Sequence, residues 1–530
     1  MKFIAALSFA GLAVLSSASL PGDVAVHQEE DGPLAGVEFR TFDGTDNAPN
    51  DLGSSNQPQL RLADGTAGGR RPNPRTISNE VFDQEESIVN ERGLSELVTF
   101  FGQFIDHDVT FTPMNGAAFP IEVPEDDDVL DIEEIEFSRS PSVDGAPLNT
   151  ITSFIDGSAI YGSDDTRAGQ LRTGQRGLLK TGDGNRLPDN DGTIRNEPDD
   201  TPRFFVAGDI RVNENTNLAV IHTLFLRNHN RIAREVRRAF SDFDDEQIFQ
   251  TARKINVAEI QKIVYNEWLP ALLGDDTGIP DFSGVAADPQ PAASAFFTTA
   301  AFRVGHTLLN DVVTRTRRDG TNARPIPLNE TFFAPELLRR QNIGIFLRGM
   351  ANTPAQEVDN KIVDSVRNFL FTGLFEEFEE LEGVDLVARN IQRGRDHRIP
   401  SYNQARRALG LSPARSFDDI TSDNELAKTL EELYERPGRV DGFVGALCED
   451  RVDGSSFGEL LRASWANDFT RIRDGDRFFY LNDDQFPDSI RQLPRVQRLF
   501  DDDFQTMREV ILSNTGITAS QIPDNVFFAN

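Results

Sequence analysis

The stretch FFGQFIDHDVTF, residues 100–111, sets Gln103, Asp106, His107 and Asp108 into an otherwise apolar segment. At roughly 3.6 residues per turn, Gln103 and His107 share a helix face, Asp106 borders it, and Asp108 lies about 100° further round. Phe100, Phe101, Phe104, Ile105 and Phe111 call for burial on several sides. Polar groups buried without partners cost several kcal/mol. The fold must therefore bring partners from distant parts of the chain to these four side chains, which argues for a functional site over a solvated helix face.

With 530 residues the chain can enclose such a segment in a large core. Its formal charge of −33 opposes phosphate backbones and anionic membranes, so nucleic acid is excluded as a natural partner, and the plain consequence of the acidity is solubility. Residues 1–20 have the anatomy of a secretory signal peptide: Lys2, an apolar run from Phe3 to Leu15, then small residues Ser16, Ala18 and Ser19. That run is too short to span a bilayer and no later run is long enough, so no membrane span is expected and the mature chain reads as secreted and soluble. Cys448 is the single cysteine, which leaves no intrachain disulfide to stabilise an exported fold. Oligomeric state is not readable.

Residues 21–92 are rich in Gly, Pro, Asp and Asn and suit a loop-rich N-terminal arm lying over a larger body. Residues 93–530 change to helical periodicity. Leu218, Ile221, Phe225 and Ile232 make an apolar stripe; a second helix opens near Ser241, carries Val257, Ile260, Val264 and Trp268, and is expected to stop at Pro270. NKIVDSVRNFLF and FGELLRASWANDFTRI have the same helical pattern. Alternating strands are scarce. The expectation is a mainly α class: one large helical domain with long loops and little β structure. Long polar excursions such as PEDDDVLDIEEIEF and GDGNRLPDNDGTIRNEPDDTP are of the kind that cover a site or bind something.

The chain has six histidines: His27, His107, His222, His229, His306 and His397. His222 and His229 fall on one apolar helix and read as satisfied core residues, and no HExxH pattern suggests zinc. His306 sits in TTAAFRVGHTLLNDVV, an apolar helix with Arg303 one turn earlier. From the residues alone it is either structural or an axial ligand to a buried cofactor.

FFGQFIDHDVTFTP resembles the distal-histidine signature of the animal-type haem peroxidases, the family of myeloperoxidase, lactoperoxidase and peroxidasin. TSFIDGSAIYGSDDTRAGQLR, FVAGDIRVNENTNLAVIHTLFLRNHNRIA, AFRVGHTLL, ARNIQRGRDHRIPSYNQAR and IRDGDRFFYLND resemble further family blocks in the family's order, across roughly residues 93–482. The resemblance implies a secreted haem peroxidase that reduces hydrogen peroxide and oxidises halides, thiocyanate or aromatic donors through a ferryl intermediate. It implies that His107 is the distal base, Arg211 stabilises charge as the O–O bond breaks, and Gln103 holds water or halide. His306 is implied as the iron ligand and Asn390 as the partner of its other ring nitrogen. Asp106 and Glu214 match the acids that form haem esters, and Arg303 and Arg393 are candidate propionate partners. Asp108, Thr152, the Phe154 carbonyl, Asp156 and Ser158 match the family's calcium site, their oxygens suiting a hard cation.

Two departures stand out. Asn215 follows Glu214 where myeloperoxidase has a methionine that forms a third haem link, which puts chloride oxidation in doubt; and the family's disulfides are missing. Two rivals remain. A fatty-acid dioxygenase would need a tyrosine at position 303, which is arginine. An extracellular adhesion or matrix protein could keep this fold with reduced turnover, against which His107, Arg211 and His306 all stand intact.

Overall fold

The computed structural model describes residues 32–63, 65, 71–371, 384–482 and 485–529; residues 1–20, read as a signal peptide, lie outside them. The fold is mainly helical, and its longest described strand, Ala146–Asn149, has four residues. That strand pairs antiparallel with Gln57–Pro58 and Ser142–Val143, so arm residues join the edge of a small sheet. No described helix is long and apolar enough to cross a membrane.

Six helices position the site. Within the arm, α1 (Pro74–Phe82) starts where Asn73 Oδ1 accepts from the Arg75 and Thr76 amides and Pro74 sits at the first turn. α2 (Glu96–Val109) carries the polar cluster. α3 (Thr216–Ala239) is capped by Asn215, whose Oδ1 accepts from Leu218 N at 2.8 Å, and ends on Arg237 and Arg238, charges that suit a helix C-terminus. α4 (Asp245–Ile263) opens with a reciprocal capping box between Asp244 and Gln247 and packs along α3. α5 is Leu386–Asp396 and α6 is Glu459–Asp474.

The apolar stripe of α3 meets α2, where Phe104 stacks on Phe225 with ring centroids 5.1 Å apart. Trp268 Nε1 donates to the Val98 carbonyl of α2 at 3.0 Å. A Cβ at Gly102 would stand 3.0 Å from the Trp268 ring, so glycine is what lets the indole lie against α2. Burying large apolar side chains such as these stabilises the fold by about 1.5–3 kcal/mol each.

Three helical expectations differ in detail. Pro270 does not end its helix: the chain widens into a π turn over Val264–Trp268 and resumes as Leu269–Leu273, with the proline in a first turn that needs no amide donor. The segment holding His306 is a short helix, Ala295–Thr299, followed by a tighter 3-10 turn, Ala301–His306. NKIVDSVRNFLF supplies only Asp364–Arg367.

The arm is anchored by charge. Arg40 grips Asp476 through two bonds of 3.0 and 2.7 Å. Arg75, fully buried, bonds Asp127, Asn368 and Asp385, and Asp385 in turn caps α5 through the Ala388 amide. Removing one partner of such a buried pair costs about 3–5 kcal/mol. α1 thus buttresses the helix that carries Asn390 and Arg393.

Candidate active site

A cavity of about 400 Å³ opens between α2, the turn before α3, the Ala301–His306 turn and α5. His107, Gln103 and Asp106 line it from α2, Arg211 and Glu214 from the turn, His306 and Arg303 from the 3-10 segment, and Asn390 and Arg393 from α5. The helical spacing read in the sequence is what aims Gln103, Asp106 and His107 into this space, while Asp108 points elsewhere.

His107 is buried, with Nδ1 3.6 Å from Asp209 Oδ1 and Nε2 3.6 Å from Glu214 Oε2. Burial, reinforced by the Arg211 charge, holds its pKa well below the ordinary imidazole value, so the ring is neutral and able to accept a proton. Arg211 is fixed from two sides. Its Nε and Nη2 donate to Asp209 at 2.9 and 2.7 Å, and Nη2 also donates to the Thr110 carbonyl at 3.0 Å. Burial opposes ionisation of Asp209, yet Arg211 outweighs it and keeps the carboxyl below the usual carboxylate range. Gln103 Nε2 donates to Glu214 Oε2 at 2.8 Å, and Asn215 Nδ2 donates to Gln103 Oε1 at 2.8 Å. Burial pushes the Glu214 carboxyl up to about 7.

On the second wall, Asn390 Nδ2 lies 3.0 Å from His306 Nδ1, which leaves Asn390 Oδ1 buried without a partner. Turning the amide by half a rotation sets Oδ1 on a protonated Nδ1 and frees Nε2 of His306 to bind a metal. Burial, with Arg303 and Arg393 nearby, depresses the His306 pKa to about 3, so the ring is neutral.

Unmatched charge faces the same space. Arg393 has its Nη2 on the Met114 sulfur at 3.0 Å and its Nε without a partner, and burial lowers its pKa to about 9. Arg303 donates from Nε to the Thr298 carbonyl and meets Asp106 Oδ2 at 3.2 Å, while Asp106 Oδ1 is buried and unbonded. Burial raises the Asp106 pKa. An apolar slot with a neutral histidine on each of two walls, a surplus of arginine and an orphaned carboxyl oxygen fits an anionic metalloporphyrin. Phe333 and Phe371 also line the cavity, rings 5.0 Å apart, and both hold positive φ, 47° and 65°, a costly conformation for bulky residues.

Asp108 reaches the loop that the sequence suggested. Its Oδ2 accepts from the Asp156 and Gly157 amides at 3.1 Å and its Oδ1 from Ala159 N at 2.8 Å; Ser158 Oγ donates to its carbonyl at 2.7 Å. Thr152 Oγ1 is buried there with no hydrogen bond of normal geometry, and Phe154 is fully buried. Burial raises both the Asp108 and Asp156 carboxyls, and for Asp108 the neighbouring Asp156 charge adds to it. Among the described residues no group of three or more His, Cys, Asp or Glu side chains is placed to hold a metal, so a cation here would draw on two carboxylates with hydroxyl and carbonyl oxygens.

His229 is a satisfied core residue, with Nδ1 2.9 Å from Tyr161 Oη and Nε2 2.9 Å from the Gly177 carbonyl. His222 packs edge-on to Phe104 in the core but, unlike the sequence expectation, neither of its ring nitrogens has a hydrogen bond of normal geometry; His27 lies outside the described residues. Sequence reading passed over Asp209, the bond from Asn215 to Gln103, and the cavity-lining residues Trp268, Trp465, Glu197 and His397. Asp209 had a local signal, its place two residues before Arg211. Glu197 comes from one of the long polar excursions.

The sequence model of the family described as animal haem peroxidase matches residues 39–527. Peroxinectin A of Dictyostelium discoideum is 33% identical over 480 residues, covering 84% of this chain and 89% of that protein. Human eosinophil peroxidase is 33% identical over 514 residues, covering 87% of this chain and 69% of that protein. Among solved structures, peroxidase A from Dictyostelium discoideum superposes with a TM-score of 0.82 at 31% identity, covering 93% and 98% of the two chains. Oryza sativa fatty acid alpha-dioxygenase superposes with a TM-score of 0.75 at 19% identity over 92% of this chain and 87% of that one, a likeness that carries the fold alone. Matched along nearly its whole described length and built around a slot of porphyrin character, the chain belongs to the animal haem peroxidases and is a haem-dependent oxidoreductase.

Proposed function

We propose that this peroxidase is secreted, reduces hydrogen peroxide in the cavity beside His107, and oxidises iodide, bromide, thiocyanate or aromatic donors. The observation that carries the reading is the pairing in one cavity of neutral His107 beside the fixed Arg211 cation with neutral His306 beside Asn390. Haem, when bound, supplies the iron at which the O–O bond is split and the store for the two oxidising equivalents.

The residues do the rest. His107 Nε2 takes the proton from the incoming peroxide and returns it to the departing oxygen, which leaves as water. Arg211, held by Asp209, stabilises negative charge on that oxygen without reorganising. Gln103, fixed by Glu214 and Asn215, presents an amide to water or halide. His306 would hold the iron and Asn390 its second nitrogen. Asp106 and Glu214 are the residues for ester links to the porphyrin, and Arg303 and Arg393 for its propionates. Asp108, Thr152, Phe154, Asp156 and Ser158 would hold calcium and so brace the helix end next to His107. Asn215, bonded to Gln103, offers no sulfur for a third link, and chloride is a correspondingly poor donor. Arg303 holds the place where a dioxygenase needs tyrosine, and no tyrosine lines the cavity among the described residues.

An absorbance spectrum of purified protein, with peroxide-dependent iodide oxidation, tests the reading. A Soret band that survives acid–acetone extraction is expected. Protein that takes up no haem, or binds it and oxidises no iodide, would overturn it.

A further inference from the structure

Both tryptophans of the chain, Trp268 and Trp465, line the cavity, and their rings lie 5.3 Å apart. Both also flank Phe302, four residues before His306, at 6.1 and 4.8 Å. Away from the cavity they share a second neighbour. Phe469 stands 5.9 Å from Trp268, 5.5 Å from Trp465 and 6.2 Å from Tyr265. Tyr265, one of only five tyrosines, is partly exposed and next to exposed Asn266. The run is therefore a packed column of rings from cavity wall to surface.

The backbone is specialised at this point. Tyr265 and Trp268 both belong to the π turn Val264–Trp268, a rare form that tends to occur at functional sites. The wide turn sets both rings against Phe469. Each indole N–H donates to a backbone carbonyl, Trp268 to Val98 at 3.0 Å and Trp465 to Ala301 at 3.1 Å. A carbonyl is too weak a base to remove that proton, so an oxidised indole here stays a cation and can pass its charge on. Tyr265 Oη donates to the Phe469 carbonyl at 2.9 Å, and the Arg473 guanidinium lies 5.7 Å from its ring.

We propose that Trp268, Trp465 and Tyr265 relay electrons from the surface to the haem cavity, so that phenolic donors too large to enter the cavity are oxidised at Tyr265. The inference rests on the peroxidase reading above, which supplies the oxidant. Reducing one hydrogen peroxide to two waters takes two electrons and two protons. Each electron leaves the relay singly. An indole gives one electron toward the cavity and keeps its N–H. Tyr265 refills the indole; an oxidised phenol is a far stronger acid than an oxidised indole, so its proton leaves Oη, past the Phe469 carbonyl, for water at this partly exposed residue. A phenol at the surface then returns one electron and one proton to Tyr265 and is left as a phenoxyl radical. Two donor phenols per peroxide close the balance, and their radicals couple through a new carbon–carbon bond.

The test uses holoenzyme with two donors, iodide and a dextran carrying tyramine groups, together with a nitroso spin trap. Tyr265→Phe should lower peroxide-dependent coupling of the tyramine groups about tenfold or more, with iodide oxidation within about twofold of wild type. Peptide mass spectrometry of wild type treated with peroxide and trap should find the adduct on Tyr265, and W268F/W465F holoenzyme should lose that adduct. Tyr434→Phe, at a buried tyrosine that bonds Asp441 at 3.0 Å and lines neither column nor cavity, should change neither donor's rate. Tyramine–dextran coupling at the wild-type rate in Tyr265→Phe, or iodide turnover with no adduct at Tyr265, would overturn the relay alone. Failure of wild type to oxidise iodide would remove the peroxidase reading and the relay with it.

Discussion

Arg211 and Asp209, two positions apart in the sequence, face each other through a bidentate pair of 2.9 and 2.7 Å, both side chains buried. The same carboxylate lies 3.6 Å from His107 Nδ1. One anion thus fixes the cation and sets negative charge beside the imidazole that is to take up a proton. Asp209→Asn keeps the shape and removes the charge. The second-order rate with peroxide, followed by stopped-flow at the Soret band, is expected to fall about ten- to hundredfold, with haem content retained. An unchanged rate would strip Asp209 of this positioning role.

The proximal pair gives a spectroscopic prediction. With Asn390 Oδ1 accepting from His306 Nδ1, the imidazole gains basicity toward a metal on Nε2. Asn390→Leu should lower the iron–histidine stretching frequency of the ferrous protein, and Asn390→Asp should raise it. His306→Ala should lose that band altogether. A frequency indifferent to both Asn390 variants would show that the amide does not act on the ligand.

Much of this site was legible because its spacing is local. Gln103, Asp106 and His107 share a face for reasons that 3.6 residues per turn already dictates, and the structure sends them into one cavity. What spacing cannot give is the meeting of side chains far apart in the chain: Asn390 with His306, Arg303 with Asp106, Trp268 with Trp465. Asp209 is a different kind of miss: it stands two residues before Arg211, but only the fold shows its carboxylate turned onto that guanidinium. Gly- and Pro-rich composition concealed α1, although Asn73 followed by Pro74 is a helix-start signal that the residues do carry. Pro270 and the 3-10 turn at His306 show tertiary packing overriding the simple reading of a helix stop and a helix.

Glu96 supplies a prediction on stability. It is buried in the first turn of α2, with Oε1 accepting from Asn310 Nδ2 at 2.7 Å and Oε2 unbonded. Burial raises its pKa from 4.5 to about 8, and the Asn310 bond offsets only part of this. Between those values the native state keeps a proton that the unfolded chain has released, so native stability falls as pH rises through this window and levels off above it. Glu96→Gln preserves the acceptor and removes the titration. Its Tm should match wild type at about pH 4 and exceed it at about pH 9. The same Tm difference at both pH values would show that Glu96 does not titrate in this window.

The Asp108 loop yields the last prediction. Asp108 follows His107 directly and bonds the amides of Asp156, Gly157 and Ala159, so whatever fixes that loop also fixes the end of α2. The Asp108 and Asp156 carboxyls are buried and both pushed upward, by loss of water first. A calcium ion would replace that water, keep both groups ionised and release the protons they otherwise hold. Calcium bound there would compete with protons, and its stabilisation should grow with pH. Protein stripped with a chelator should unfold at lower temperature than calcium-loaded protein, by a wider margin at about pH 8 than at about pH 5. Its reaction with peroxide should slow in parallel, because His107 loses its brace. Asp156→Asn should weaken calcium binding and shrink the margin. Metal analysis that finds no calcium, with a Tm unmoved by chelator at either pH, would leave the loop as a hydrogen-bonded turn and nothing more.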